Sequence, residues 1–132
     1  MPKIKNSKSF FWLAAAAWMA VIFFLSSVRG SGYQSPSTFY FIERKSFHVI
    51  EYFILLILFH KALSWDFKYE KALAFSAVLA LIYGISDEWH QTFVFGRDGT
   101  IRDVAIDLTG ILAALIFISF ITKWKKRKKQ LN

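Results

Sequence analysis

The 132-residue chain contains no cysteine. That excludes a disulfide framework and any thiolate metal site. Charge is scarce, with Asp, Glu, Lys and Arg making up 20% of residues, and none occurs from Phe10 to Val28. Acidic residues are scarcer still, 9 against 17 basic, which leaves a formal net charge of +8. A basic balance points to nucleic acid only where the basic residues cover one face of a folded domain. Here Lys123, Lys125, Lys126, Arg127, Lys128 and Lys129 crowd the end of the chain directly after an apolar segment. Such a tail reads as an anchor on anionic lipid, and no nucleic-acid partner is expected. An H-E-x-x-H metal-catalytic motif is also missing, as is a Ser or Cys nucleophile beside a base. No internal repeat is present.

What the chain does have is apolar and aromatic bulk. Hydrophobic residues make up 55%, mean hydropathy is +0.37, and there are fifteen Phe, five Trp and five Tyr. Four apolar segments stand out. The first follows Lys3, Lys5 and Lys8 and resembles a signal peptide. Its length and the three apolar segments after it argue for a retained span. Each of the other three has only 15 residues between flanking charges: Lys45 to Lys61, Lys71 to Asp87, and Asp107 to Lys123. Fifteen helical residues reach about 22 Å, short of a hydrocarbon core of about 30 Å. Each helix must therefore carry polar residues into or near the membrane. The expected fold is all-α, a single domain of four transmembrane helices at about 10–28, 45–63, 71–92 and 103–122, with a basic tail over 123–132. The connection from Arg29 to Phe41 is rich in Gly, Ser and Pro and is expected to be the longest loop. With the N-terminus inside, twelve Lys and Arg fall on the inner side and five on the outer. The positive-inside rule then predicts both termini in the cytoplasm.

This topology gathers polar residues at the outer end. The second helix opens with Lys45, His48, Glu51 and Tyr52, an arc of roughly 120°. The third ends with Asp87, Glu88 and Gln91 on an arc of roughly 100°, with His90 off that face. Asp103 and Asp107 stack at the start of the fourth, where carboxylates also complement the helix dipole. Arg97 and Arg102 lie between the third and fourth helices, close enough to cover the cluster. Gly84 and Gly110 are placed to let helix backbones approach. A charge at membrane depth costs about 2.5–3.5 kcal/mol, so such residues turn inward or line a wet cavity. Three polar arcs at one end argue for one shared pocket. Arg44 reads as an interfacial anchor, and His60 as an interfacial residue at the opposite end.

The pattern Arg44-Lys45-x-x-His48-x-x-Glu51-Tyr52-x-x-Leu55, then Ser86-Asp87-Glu88-x-x-Gln91-x-Phe93-x-x-Gly96-Arg97 and Asp103, then Gly110, resembles the VanZ-like family over about residues 10–122. The family's fourth helix commonly carries Asn where this chain has Asp107, and a Pro before the Gly–Arg pair where Phe95 stands. The resemblance implies a small multi-pass protein of the bacterial cytoplasmic membrane. A named member of the family is associated with resistance to the glycopeptide teicoplanin, and no reaction is implied.

Three functions fit these residues. In the first, the pocket binds an envelope lipid, a cell-wall precursor or a lipoglycopeptide headgroup. Lys45, Arg97 and Arg102 would meet phosphate or carboxylate, with Tyr52, Gln91, Asp103 and Asp107 completing the lining. In the second, the chain is a membrane-embedded hydrolase or transferase acting on an envelope lipid, with His48, Glu51, Asp87 and Glu88 as catalytic candidates. No cofactor is required by the sequence, but Asp87 and Glu88 beside His48 could hold a divalent metal. In the third, Glu51 and His48 carry protons in a small transporter. Four helices are few for a carrier, which would need an oligomer.

Overall fold

The structure, a computed structural model, describes residues 3–28, 38–97 and 99–131. It is all-α: α1 Lys3–Ser27, α2 Thr38–Leu63, α3 Tyr69–Gln91 and α4 Ile101–Leu131. All four are long and apolar enough to cross a membrane. The expected number, order and approximate centres of the spans hold, but the helix ends differ. α1 starts at Lys3 rather than near 10, and α2 at Thr38 rather than Lys45. A charged residue marks where a helix leaves hydrocarbon, which is not where its hydrogen-bonded ladder must stop. The expected loop over 29–41 accordingly loses 38–41 to α2, and its positions 29–37 lie outside the described residues.

The tail expected after residue 122 is also helical, forming the last turns of α4. Lys, Arg and Gln are good helix formers. Lys128 and Lys129 in the final turn complement the negative end of the dipole. At 31 residues α4 is about 46 Å long, so its basic turns extend past a core of about 30 Å.

Neighbouring helices run antiparallel, and α2 is the hub, touching all three others, whereas α1 and α4 do not meet among the described residues. The buried face of α2 is Tyr52, Leu55, Leu56 and Phe59, a helical stripe. α3 answers it with small residues at every fourth position, Ala72, Ser76, Ala80 and Gly84. Lipid is as apolar as Leu, so burial alone does not hold such helices together, and close packing of small residues does more. Large apolar residues such as Phe24, Ile82, Ile116 and Phe120 point outward instead. Two side chains tie neighbouring backbones together. Trp18 Nε1 donates to the Glu51 carbonyl (2.9 Å), and Tyr83 Oη to the Met19 carbonyl (2.5 Å). At the basic end Lys8 pairs with Asp66 at 2.7 Å, and Tyr69 Oη donates to Ser119 Oγ at 3.2 Å. His60, expected at the interface, is buried there, edge-on to Tyr69.

Gly110 sets the tightest crossing. A Cβ there would lie 2.3 Å from the Val49 carbonyl oxygen, a backbone atom of α2. Gly84, by contrast, faces the Tyr52 ring rather than a backbone. Gly110→Ala is therefore expected to force α4 off α2, at about 1–3 kcal/mol. Reversible unfolding in detergent micelles measures this, and Leu112→Ala on the outward face should leave the unfolding free energy almost unchanged.

Candidate functional site

The C-terminal ends of α1 and α3 and the N-terminal ends of α2 and α4 meet at one end of the bundle. His48, Glu51, Asp87, Glu88, Gln91 and Asp107 are all buried there. One hydrogen-bonded chain links three segments: α1, α3 and the α3–α4 loop. Ser26 Oγ of α1 donates to Asp87 Oδ1 at 2.5 Å. Gln91 Nε2 donates to Asp87 Oδ2 at 3.0 Å and to Glu88 Oε1 at 3.2 Å. The Thr100 backbone N–H donates to Glu88 Oε2 at 3.3 Å. Gly99 makes this last bond feasible, because a Cβ there would sit 2.0 Å from the Glu88 carbonyl oxygen. Only a residue without one lets the loop fold back on α3.

Arg97 closes the end of α1. Its Nε donates to the Val28 carbonyl (2.9 Å), its Nη2 to the Leu25 carbonyl (2.8 Å), and its Nη1 reaches Gln91 Oε1 at 3.5 Å. These carbonyls lie at the terminal turn, where the regular helical bonds run out; the Leu25 oxygen also accepts from the Val28 N–H at 3.3 Å. Lys45 and Asp103 form an ion pair joining the starts of α2 and α4. Thr100 caps α4, its Oγ1 accepting from the Asp103 N–H at 3.3 Å and donating to Asp103 Oδ2 at 3.0 Å.

On the α4 side, His48 Nδ1 and Asp107 Oδ1 are 3.0 Å apart. Tyr52 Oη and Asp107 Oδ2 are buried without a hydrogen-bond partner. The Tyr52 ring and Asp107 Oδ2 both pack at Gly84. One donor atom each from His48, Glu88 and Asp107 lies within 4.8 Å of the others.

His48 also lines a cavity of about 260 Å³. Its walls are Leu25, Ser26 and Val28 at the end of α1, Arg44, Phe47, His48 and Glu51 on α2, and Arg97 from the loop. Glu51 is 6% exposed, and its carboxylate accepts no hydrogen bond from a described residue.

The candidates thus separate into several places. His48, Glu51 and Arg97 face the cavity. Asp87, Glu88 and Gln91 form the network beneath Arg97. Tyr52 and Asp107 lie deeper, between α2, α3 and α4. Lys45 and Asp103 engage each other, and Arg102 is exposed in the first turn of α4. The carboxylate that meets His48 is Asp107 from α4 and not Glu51 on its own helix. Of the Asp87–Glu88 pair only Glu88 approaches His48, because Ser26 and Gln91 turn Asp87 toward α1. His90 lies apart, stacked on Phe23 at 4.4 Å and 3.0 Å from Ser27 Oγ.

Two cavity residues escaped the sequence reading. Arg44 opens the family pattern yet reads on its own as an interfacial anchor, and Ser26 belongs to no motif. Adjacent hydroxyls at Ser26 and Ser27, ending an uncharged span, were the available signal for α1.

Four membrane-crossing helices with ionisable side chains packed inside one end define a multi-pass membrane protein with an internal polar site. The family profile described as VanZ/LLP1 matches residues 11–122, and the chain belongs to that family. Curated proteins and solved structures yield no match.

Arg97→Ala removes charged donors from the last carbonyls of α1. Amide exchange over residues 25–28 should then accelerate about tenfold or more, as expected for losing one charged hydrogen bond. Exchange mass spectrometry reads this, with protection of residues 72–80 unchanged.

Proposed function

We propose that the cavity between α1 and α2 binds the anionic headgroup of an amphiphile: an envelope lipid, a cell-wall precursor or a lipoglycopeptide. The lining carries this reading. Arg44 and Arg97 bring positive charge to a wall that is otherwise largely Leu25, Val28 and Phe47. Guanidinium groups suit phosphate and carboxylate, while the apolar wall suits the adjoining hydrocarbon. Ser26, His48 and Glu51 add groups able to bond sugar or amine. At about 260 Å³ the cavity is smaller than most pockets for drug-sized ligands, about 300–1,000 Å³. It suits a headgroup, with acyl chains left along exposed Phe24 and Leu25. Membership of the VanZ/LLP1 family is consistent with a membrane protein linked to antibiotic resistance.

Native mass spectrometry with phosphatidylglycerol, phosphatidylcholine, a polyprenyl phosphate and teicoplanin tests this. The anionic amphiphiles should bind in preference to phosphatidylcholine, and Arg44→Ala should weaken them about tenfold, or about 1.4 kcal/mol. In cells Glu51→Ala, Asp87→Ala and Arg97→Ala should insert normally and lose function. Full activity of all three in a susceptibility or lipid assay defeats the reading.

The same proposal places the protein in a bacterial cytoplasmic membrane with both termini inside and the polar end toward the outer leaflet. The excess of Lys and Arg on one side supports it. The absence of cysteine makes the check simple. In intact cells an impermeant thiol reagent should label Ile101→Cys and spare Lys128→Cys; the reverse pattern inverts the topology.

One geometry favours an enzyme instead. His48 is oriented by Asp107 and also faces the cavity, which is the arrangement of a general base and its positioning carboxylate. Turnover of a lipid phosphate that His48→Ala abolishes would favour hydrolysis or transfer over binding alone.

A further inference from the structure

We infer that His48, Glu88 and Asp107 form a binding site for one divalent transition-metal ion where α2, α3 and α4 meet. The three donors come from three helices, and their ligand atoms already lie within 4.8 Å of one another. An ion with N and O ligands at about 2.1 Å holds adjacent donors about 3 Å apart and opposite donors about 4.2 Å apart. The His48–Asp107 distance of 3.0 Å already matches an adjacent pair. The 4.8 Å bound on the remaining separations is about 0.6 Å above that of an opposite pair.

A second observation points to an occupant. Asp107 is 1% exposed, and its Oδ2 has no hydrogen-bond partner. A carboxylate oxygen so placed loses its hydration and gains no donor in exchange. Its sister oxygen already meets His48, so a cation seated beside that pair lies within reach of both oxygens, as in bidentate coordination.

Charge balance supports the same conclusion. Glu51, Asp87, Glu88 and Asp107 are buried, and among the described residues no Lys or Arg is buried with them. Lys45, paired with Asp103 at the rim, also acts electrostatically on Glu88 and Asp107, and Arg97 on Glu51, so the cations offset these carboxylates from the edge of the cluster and not from within it. A divalent ion offsets two of these carboxylates in the interior, where uncompensated charge is costly. The supporting shell is also built. Both oxygens of Glu88 accept hydrogen bonds, from Gln91 and from the Thr100 N–H, which is how ligating carboxylates are commonly held.

One imidazole with two carboxylates suits Mn²⁺ or Zn²⁺ better than Ca²⁺ or Mg²⁺. His48 belongs both to this cluster and to the cavity wall. A bound ion would therefore add positive charge behind the place proposed for an anionic headgroup. The ion site itself does not depend on what the cavity binds.

The experiment is a Mn²⁺ titration of the full chain in detergent after chelator treatment. Loss of the free-ion electron paramagnetic resonance signal is the readout. One Mn²⁺ per chain is expected, displaced by Zn²⁺. Asp107→Asn and Glu88→Gln should weaken it about tenfold or more, whereas Asp66→Asn at the opposite end and Arg44→Ala in the cavity should bind as the wild type does. Arg44→Ala separates the two sites, because it should weaken amphiphile binding about tenfold and keep Mn²⁺. Failure of the wild-type chain to take up Mn²⁺ or Zn²⁺ at millimolar concentration overturns the inference without relying on any variant. So does unchanged affinity in both Asp107→Asn and Glu88→Gln.

Discussion

A carboxylate carried into hydrocarbon finds no water there, so the protein must supply its partners. The polar end of this bundle follows from that constraint. Asp87 takes a proton donor from α1 and another from its own helix. Glu88 takes one from α3 and one from the loop that folds back over it. Asp107 meets His48 across the α2–α4 crossing. Gln91 is the hinge of the arrangement, donating to both carboxylates of α3 and accepting from Arg97. Through Arg97 the same network reaches the last carbonyls of α1.

This constraint explains why the helices approach as they do. Side chains can satisfy one another only if the backbones carrying them are close. Gly110 lets α4 lie against Val49, one residue past His48, so Asp107 comes within 3.0 Å of the imidazole. Gly99 lets the α3–α4 loop return to Glu88. α1 is peripheral, with no contact to α4 among the described residues, yet it supplies Ser26 to the network and one wall of the cavity.

The site consequently has two compartments that share His48. One is a cavity with cations and apolar walls, open toward the end of α1. The other is a buried cluster of one imidazole and two carboxylates among α2, α3 and α4. The first sets two guanidinium groups beside apolar walls, and the second gathers donor atoms from three helices.

Four apolar spans, their order, and the end at which ionisable residues gather were all readable along the chain. Hydrophobic length and helical periodicity are local properties, and burying a charge in lipid is costly enough to constrain its placement. The sequence could also show that His48, Glu51, Asp87, Glu88 and Asp107 face inward as a group. Which of them meet was decided by the tertiary structure. Asp107 rather than Glu51 reaches His48, Asp87 turns to Ser26, and Arg97 ends on the carbonyls of α1. The difference is physical: a helical arc gives a direction to within tens of degrees, whereas a hydrogen bond requires a fit of a few tenths of an ångström. That fit is set by how deeply one helix sinks against another.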